Sequence, residues 1–107
     1  MILVSAENVS PTEVEYRLDA HPGVGEVAVL AVDDAVTGDA VGAVIVLLPG
    51  TETSVGALDA WCRSELAGYK VPTCWYLHDE PLPRTATGKV IKHELRLLID
   101  DGTLVSG

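Results

Sequence analysis

Residues 27–48, VAVLAVDDAVTGDAVGAVIVLL, decide the fold. They contain two apolar runs, Val27 to Val32 and Val41 to Leu48, with a polar segment between them. Because both faces of each run are apolar, the runs predict two strands in the middle of the fold, covered on each side. The polar segment from Asp33 to Asp39 includes Gly38 and is typical of a hairpin connection.

Helices are predicted around this pair of strands. Ser10-Pro11-Thr12-Glu13 offers an N-cap, a proline at the first helical position and a capping-box glutamate, so a helix is expected from there to about Ala20. Apolar spacing and β-branched content predict a second helix at 54–67, a third strand at 73–77, a final helix at 93–99 and a frayed tail at 100–107. The fold class is therefore α+β, a small, mainly antiparallel sheet of about three strands flanked by helices.

Length and composition limit the functional classes. The 107 residues predict a single domain, 1–107, with room for one core. Sixteen acidic against seven basic residues argue against nucleic acid as a partner, and no apolar stretch is long enough for a membrane span. Cys62 and Cys74 lack metal-ligand spacing, His78 and His93 lack a spaced partner, and no metal site is expected. Reduced cysteines and the absence of a basic segment before Met1-Ile2-Leu3-Val4 favour a cytoplasmic location.

The segment Pro83 to Lys89, PRTATGK, is the most informative for chemistry. Gly88 allows close approach of the backbone to a ligand, and Thr85 and Thr87 can donate hydroxyl hydrogen bonds. Lys89 stands at a loop tip, where its ammonium can reach an anion. Spacing alone favours a solvated surface lysine, and the segment is not a Walker A loop, because Pro83 occupies the position of its first glycine.

Four segments read together carry a resemblance to a known family. They are ENVSPTEVE at 7–15, HPGVGEVAV at 21–29, LAGYKVP at 66–72, and LPRTATGKVIK at 82–92 followed by Leu95-Arg96. Their order and spacing resemble the C-terminal domain of the adenylate-forming (AMP-binding) superfamily, in particular its acyl-CoA synthetase branch. The resemblance covers roughly residues 2–98 and identifies the chain as a C-terminal lid domain.

The resemblance implies a two-step reaction shared with a large N-terminal adenylation domain. That domain would bind ATP, its Mg²⁺ and the carboxylic acid, and the small domain would close on it in two orientations. The acid first becomes an acyl-adenylate with release of pyrophosphate, and the thiol of CoA then displaces AMP. The implied adenylation lysine is Lys89, with Gly88 and Thr87 beside it at the nucleotide. This lysine loop, residues 83–89, would act in the first step.

A post-hinge loop at residues 1–10 is implied for the second step. Ser5, Ala6, Glu7 and Asn8 would line the pantetheine passage of CoA in the thiol-using orientation. The family normally has Gly-Gly where this chain has Ser5-Ala6, which adds bulk and restricts the backbone there. This departure is therefore expected to affect the geometry or efficiency of thioester formation.

Several other side chains are expected to have structural or solvent-exposed roles rather than catalytic ones. Glu13 is expected to be a helix cap, His21 to be structural, and Trp61 and Trp75 to be core anchors rather than platforms for adenine. An exposed charge is the preferred interpretation of Arg84 and Lys92, with phosphate contact or docking of the large domain as the alternative.

Three functional hypotheses follow from the resemblance. The preferred one is the lid of an acyl-CoA synthetase acting on a fatty acid or another carboxylic acid. The alternatives are the lid of a non-ribosomal peptide synthetase adenylation domain and a non-catalytic binding or regulatory copy of the scaffold. The isolated domain is expected to be inactive and to hold no cofactor. A start of helix 1 so close to Met1 suggests an excised part of a longer enzyme rather than a partner acting in trans.

Overall fold

The computed structural model describes residues 1–106. Within these residues, five strands form one sheet, and three α-helices pack on its two faces. In chain order the elements are β1 (Ile2–Val4), β2 (Glu7–Val9), α1 (Pro11–Asp19), β3 (Val24–Asp34), β4 (Gly38–Leu47), α2 (Val55–Arg63), a 3₁₀ helix (Gly68–Lys70), β5 (Cys74–His78) and α3 (Lys92–Asp100). None of these helices has both the length and the apolar character that crossing a bilayer requires.

Strand β4 is the centre of the sheet. It pairs antiparallel with β3 along its whole length, and on its other side it pairs in parallel with β5. The short hairpin β1–β2 joins the same side through one pair, Val4 with Gly38. The predicted α+β class and mainly antiparallel sheet are confirmed. The count of about three strands is wrong, because residues 2–9, described as a loop from the sequence, form two further strands.

Two apolar clusters cover the faces of the β3–β4 ribbon, as its two-sided hydrophobicity predicted. Helices α1 and α2 bury Val14, Leu18, Leu58 and Cys62 against one face. Helix α3 and the segment after it bury Leu95 and Leu104 against the other face. The strands alternate between the clusters, with Val29, Val41, Ala43 and Ile45 on the first side and Ala28, Leu30 and Val44 on the second.

Local signals at two chain segments were misread from the sequence. The Ser10 side chain makes no capping hydrogen bond, and the Glu13 carboxylate instead pairs with Lys70 Nζ at 2.9 Å, so the capping-box interpretation is wrong. This hydrogen bond with Glu13 raises the pKa of Lys70. The tail is not frayed at Leu104, which is 5% exposed and whose N–H donates to the Leu98 carbonyl at 3.0 Å. Gly107 lies outside the described residues.

Candidate functional site

The segment that carries Lys89 folds into a tight hairpin. Arg84 and Val90 form an isolated antiparallel bridge, and the Thr85 N–H donates to the Lys89 carbonyl at 2.8 Å. The Gly88 N–H closes the turn on the Thr85 carbonyl at 2.9 Å. Gly88 has φ +90°, a conformation that a residue with Cβ adopts only with strain, so glycine is required here. Lys89 therefore leaves the turn from a defined position.

Lys89 differs from every other lysine and arginine in residues 1–106. Its ammonium has no hydrogen-bond or ion-pair partner there, and the residue is exposed. The other six cations are engaged: Arg17 with Ser64, Arg63 with Asp59, Lys70 with Glu13, Arg84 with Glu26, Lys92 with Glu15 and Arg96 with the Ala31 carbonyl. Although the chain has sixteen acidic residues, Lys89 is thus the one lysine or arginine of residues 1–106 that is available for an external anion.

An open groove of about 830 Å³ lies beside Lys89. Helix α1 forms one wall with Thr12 and Tyr16, and the lysine hairpin forms the opposite wall. The Tyr16 side chain projects into solvent, with 82% of the residue exposed. The groove is wide and unenclosed, so an anion held by Lys89 would need a second surface to exclude water from it.

Arg84 and Lys92 are not free charges. Arg84 Nη2 lies 2.8 Å from Glu26 Oε1, and Lys92 Nζ lies 3.0 Å from Glu15 Oε2. Both carboxylates compete with any phosphate for these cations. The structure therefore favours a role for each in holding protein segments together over direct phosphate contact.

Thr87 and Gly88, the predicted neighbours of Lys89 at the nucleotide, belong to the same turn, and the hydroxyls of this turn already have partners within it. The Thr85 and Thr87 hydroxyls lie 3.0 Å apart, and the Lys89 N–H donates to the Thr85 hydroxyl at 3.2 Å. The two threonines thus stabilise the turn from inside. A Cβ at position 88 would have no heavy atom of another residue, apart from its two chain neighbours, within 4 Å, so the outer side of Gly88 is open to a ligand.

The other predicted site residues form a separate turn. Ser5 and Ala6 connect β1 to β2 with φ values of +47° and +69°, and Glu7 and Asn8 follow on β2, all of them exposed. Two positive φ values in a two-residue connection define a type I′ hairpin, which favours Asn and Gly. The turn keeps the backbone conformation that glycines would adopt readily, in spite of the two side chains.

The two predicted sites lie at opposite ends of the β3–β4 ribbon. The Ser5 N–H donates to the Thr37 carbonyl at 2.9 Å, in the β3–β4 connection. The lysine hairpin is attached through Arg84 to Glu26, near the start of β3. Asp34 lies eight positions after Glu26 along β3, a span of roughly 25 Å. The structure therefore does not bring Lys89 and the Ser5-Ala6 turn into one site.

The aromatic residues and His21 have structural contacts. Trp75 is buried, and the Trp61 indole N–H donates to the Arg17 carbonyl at 2.8 Å while the Arg17 guanidinium lies 4.0 Å from the centre of its ring. His21 Nδ1 accepts from the Gly23 N–H at 2.9 Å. Within residues 1–106, no group of three or more His, Cys, Asp or Glu side chains could hold a metal ion.

Sequence analysis missed Glu26. Its carboxylate binds Arg84 and also accepts the Leu82 N–H at 3.4 Å, which attaches both ends of the segment before the hairpin to β3. The available signal was a single acidic residue inside an otherwise apolar strand, VGEVAVLAV at 24–32.

Comparison with known proteins shows the family to which the chain belongs. The family model for the AMP-binding enzyme C-terminal domain matches residues 13–89. The 4-chlorobenzoate–CoA ligase of Pseudomonas sp. (strain CBS-3) is 46% identical over 96 residues, which are 89% of this chain and 18% of that ligase. The fatty acid–[acyl-carrier-protein] ligase ScoC of Streptomyces coeruleorubidus is 39% identical over 95 residues, 89% of this chain and 18% of that protein.

A solved structure has a similar fold. ATP-bound MatB from Rhodopseudomonas palustris aligns with a TM-score of 0.85 at 35% identity, over 92% of this chain and 20% of MatB. The chain thus spans about a fifth of the length of the proteins it matches.

Proposed function

Because the chain belongs to the family of AMP-binding enzyme C-terminal domains and its relatives are CoA ligases, we propose that it is the lid of an ATP-dependent acid–CoA ligase. Lys89 is its adenylation lysine. The partner is a large adenylation domain that binds ATP, Mg²⁺ and the acid. The enzyme acts in the cytoplasm on a fatty acid or another carboxylic acid.

The observation that carries the proposal is the free ammonium of Lys89 at a glycine turn. In the first half-reaction, a carboxylate oxygen attacks the α-phosphorus of ATP, the bond to the bridging oxygen breaks, and pyrophosphate leaves. Two anions approach each other, and negative charge grows on the phosphoryl oxygens. An ammonium placed there in a closed site stabilises that charge where it is greatest. The open groove beside Lys89 is consistent with closure by another domain.

The second half-reaction uses the Ser5-Ala6 turn. The thiol sulfur attacks the acyl carbon of the adenylate, AMP leaves, and the thiol proton passes to solvent or a base. Since the turn and Lys89 lie at opposite ends of the ribbon, a domain rotation would be needed to bring each to the same reaction centre. Ser5, Ala6, Glu7 and Asn8 would then line the pantetheine passage, with Thr87 and Gly88 withdrawn from the nucleotide.

The test is kinetic and separates the two halves in the enzyme that carries this domain with its adenylation domain. Lys89→Ala should slow pyrophosphate release by about 10²–10³-fold, because one preorganised donor is lost. Transfer of a supplied acyl-adenylate to CoA should stay within about twofold. Equal loss in both halves contradicts the role of Lys89, and no loss in either supports a non-catalytic binding or regulatory copy.

A carrier-bound thiol is the second candidate. It is favoured by one observation, the similarity to a protein named as a fatty acid–[acyl-carrier-protein] ligase. Peptide synthetase adenylation domains also use a carrier-bound pantetheine. Offering CoA and a pantetheine-loaded carrier protein to the same acyl-adenylate distinguishes the two, since the preferred acceptor should react much faster. Faster transfer to the carrier would overturn the assignment to CoA.

A further inference from the structure

We infer that Glu26 and Arg84 form a positioning pair for Lys89, an inference that rests on the proposed function. Arg84 contacts both the sheet and the lysine turn. Its Nε and Nη2 lie 3.2 and 2.8 Å from Glu26 Oε1, and its Nη1 donates to the Gly88 carbonyl at 2.8 Å. One planar guanidinium thereby ties the tip of the hairpin to β3.

The Gly88 carbonyl is the critical acceptor because it belongs to the same peptide group as the Lys89 N–H. A peptide group is planar and moves as one unit. Arg84 holds its oxygen, and the Thr85 hydroxyl accepts its N–H at 3.2 Å. With both ends of the plane held, the direction in which the Lys89 side chain leaves the backbone is fixed.

A bulge in β3 orients Glu26 toward Arg84. Val24 pairs with Leu47 and Glu26 pairs with Val46, so Gly25 is an extra residue on β3. Bulges redirect side chains and recur beside active sites. Gly25 also allows close packing, because a Cβ there would lie 3.2 Å from the Val46 carbonyl oxygen.

The Glu26–Arg84 pair contributes more to the orientation of Lys89 than to the stability of the fold. The side chains of Arg84 and Glu26 are 42% and 23% exposed, and exposed ion pairs add little to folding. A lysine has a long, flexible stem, so the backbone plane from which it starts decides how often its ammonium reaches a given point. A displacement of about 1 Å at a reacting centre can cost about 10²-fold in rate.

The experiment compares Arg84→Ala, Arg84→Lys and Glu26→Gln in the enzyme that carries this domain with its adenylation domain. Arg84→Ala should lower kcat of adenylation about 10- to 100-fold, with the KM values for ATP and acid unchanged, because those substrates bind elsewhere. Arg84→Lys should recover only a small part, since an ammonium cannot bridge Glu26 and Gly88 as a planar fork does. Transfer from supplied acyl-adenylate should be unaffected.

Arg63→Ala is the matched control, because Arg63 also forms an exposed ion pair, with Asp59 on α2, away from the groove. It should leave both half-reactions unchanged. Hydrogen exchange gives a readout independent of activity: the Lys89 amide should exchange at least several-fold faster in Arg84→Ala than in the parent or in Arg63→Ala.

The outcomes separate the two proposals. If Lys89→Ala slows adenylation but Arg84→Ala does not, the positioning pair is wrong and the function stands. If Arg84→Ala raises KM or unfolds the domain with no kcat effect of its own, the pair is merely structural. If Lys89→Ala has no effect while Lys89 amide exchange still responds to Arg84→Ala, the pair holds the turn but the proposed function fails.

Discussion

Glu15 and Lys92 join the two faces of the sheet across its free edge. Glu15 lies on α1, Lys92 begins α3 on the opposite face, and Lys92 Nζ is 3.0 Å from Glu15 Oε2. The same oxygen accepts the outward N–H of Val29 on β3 at 2.8 Å. Two residues further along, the Ala31 carbonyl accepts from Arg96. Side chains from both helices thus cover a strand edge that would otherwise be open to pairing with another chain.

Replacing Glu15 should therefore destabilise the fold more than its partly exposed position suggests. Glu15→Ala removes a charged acceptor from a backbone N–H and leaves Lys92 without a partner, and it should lower the free energy of unfolding by about 1–3 kcal/mol. Glu15→Gln keeps an acceptor and should lose less. Urea unfolding measures both, with Glu65→Ala, an exposed substitution, as control. A loss in Glu15→Ala no larger than that of the control would contradict the edge-covering role.

The Ser5-Ala6 turn stores strain that glycine would relieve. Residues with Cβ in the left-handed region cost about 1–2 kcal/mol each, partly offset by the greater freedom of glycine in the unfolded chain. Ser5→Gly with Ala6→Gly should therefore raise the free energy of unfolding by about 1 kcal/mol. Ala60→Gly in the interior of α2 should lower it by about the same amount. A loss of stability in the double variant would show that the turn is not strained.

The sequence predicted the central ribbon, β3 and β4, because two long apolar runs separated by a polar turn are compatible with few structures other than a pair of buried strands. It missed the β1–β2 hairpin because Ser5-Ala6 lacks the Gly or Asn that marks a type I′ turn. A connection with positive φ at two ordinary residues carries no local signal. The pairing of β1 with β2 offsets the strain of that conformation.

Only the local part of the candidate site could be predicted from the sequence. Gly88-Lys89 is a local pattern, and with the family resemblance it was enough to single out the lysine. The pair Glu26–Arg84 joins residues 58 positions apart, so no spacing rule connects them. The long-range contacts that orient a site come from the fold, and the sequence predicts them only when a homologous structure supplies the register.

Leu104 anchors the segment after α3, which sequence analysis expected to fray. It is 5% exposed and packs in the cluster that includes Leu30, Tyr76 and Leu95. Leu104→Ala should lower the free energy of unfolding by about 2–3 kcal/mol, because it leaves a cavity at the base of the second cluster. Val105→Ala should change it by less than about 0.5 kcal/mol, since Val105 is 73% exposed. Equal small effects of the two substitutions would show that the tail does not belong to the core.

Cys62 should make stability fall in alkaline solution. Its thiol is buried between α2 and the sheet, and desolvation raises its pKa from 9.0 to about 11. Between these values the unfolded chain has lost the thiol proton and the folded chain keeps it, so the unfolded state binds fewer protons and stability decreases as pH rises. One such proton contributes at most about 1.4 kcal/mol per pH unit.

Urea unfolding under reducing conditions at pH 8 and pH 10.5 measures this effect. The free energy of unfolding should decrease more for the parent than for Cys62→Ala, which has no thiol at this position. Cys74→Ala is the matched control, because Cys74 is only partly buried. Identical decreases in the parent and Cys62→Ala would mean that this thiol ionises as easily in the folded chain as in the unfolded one.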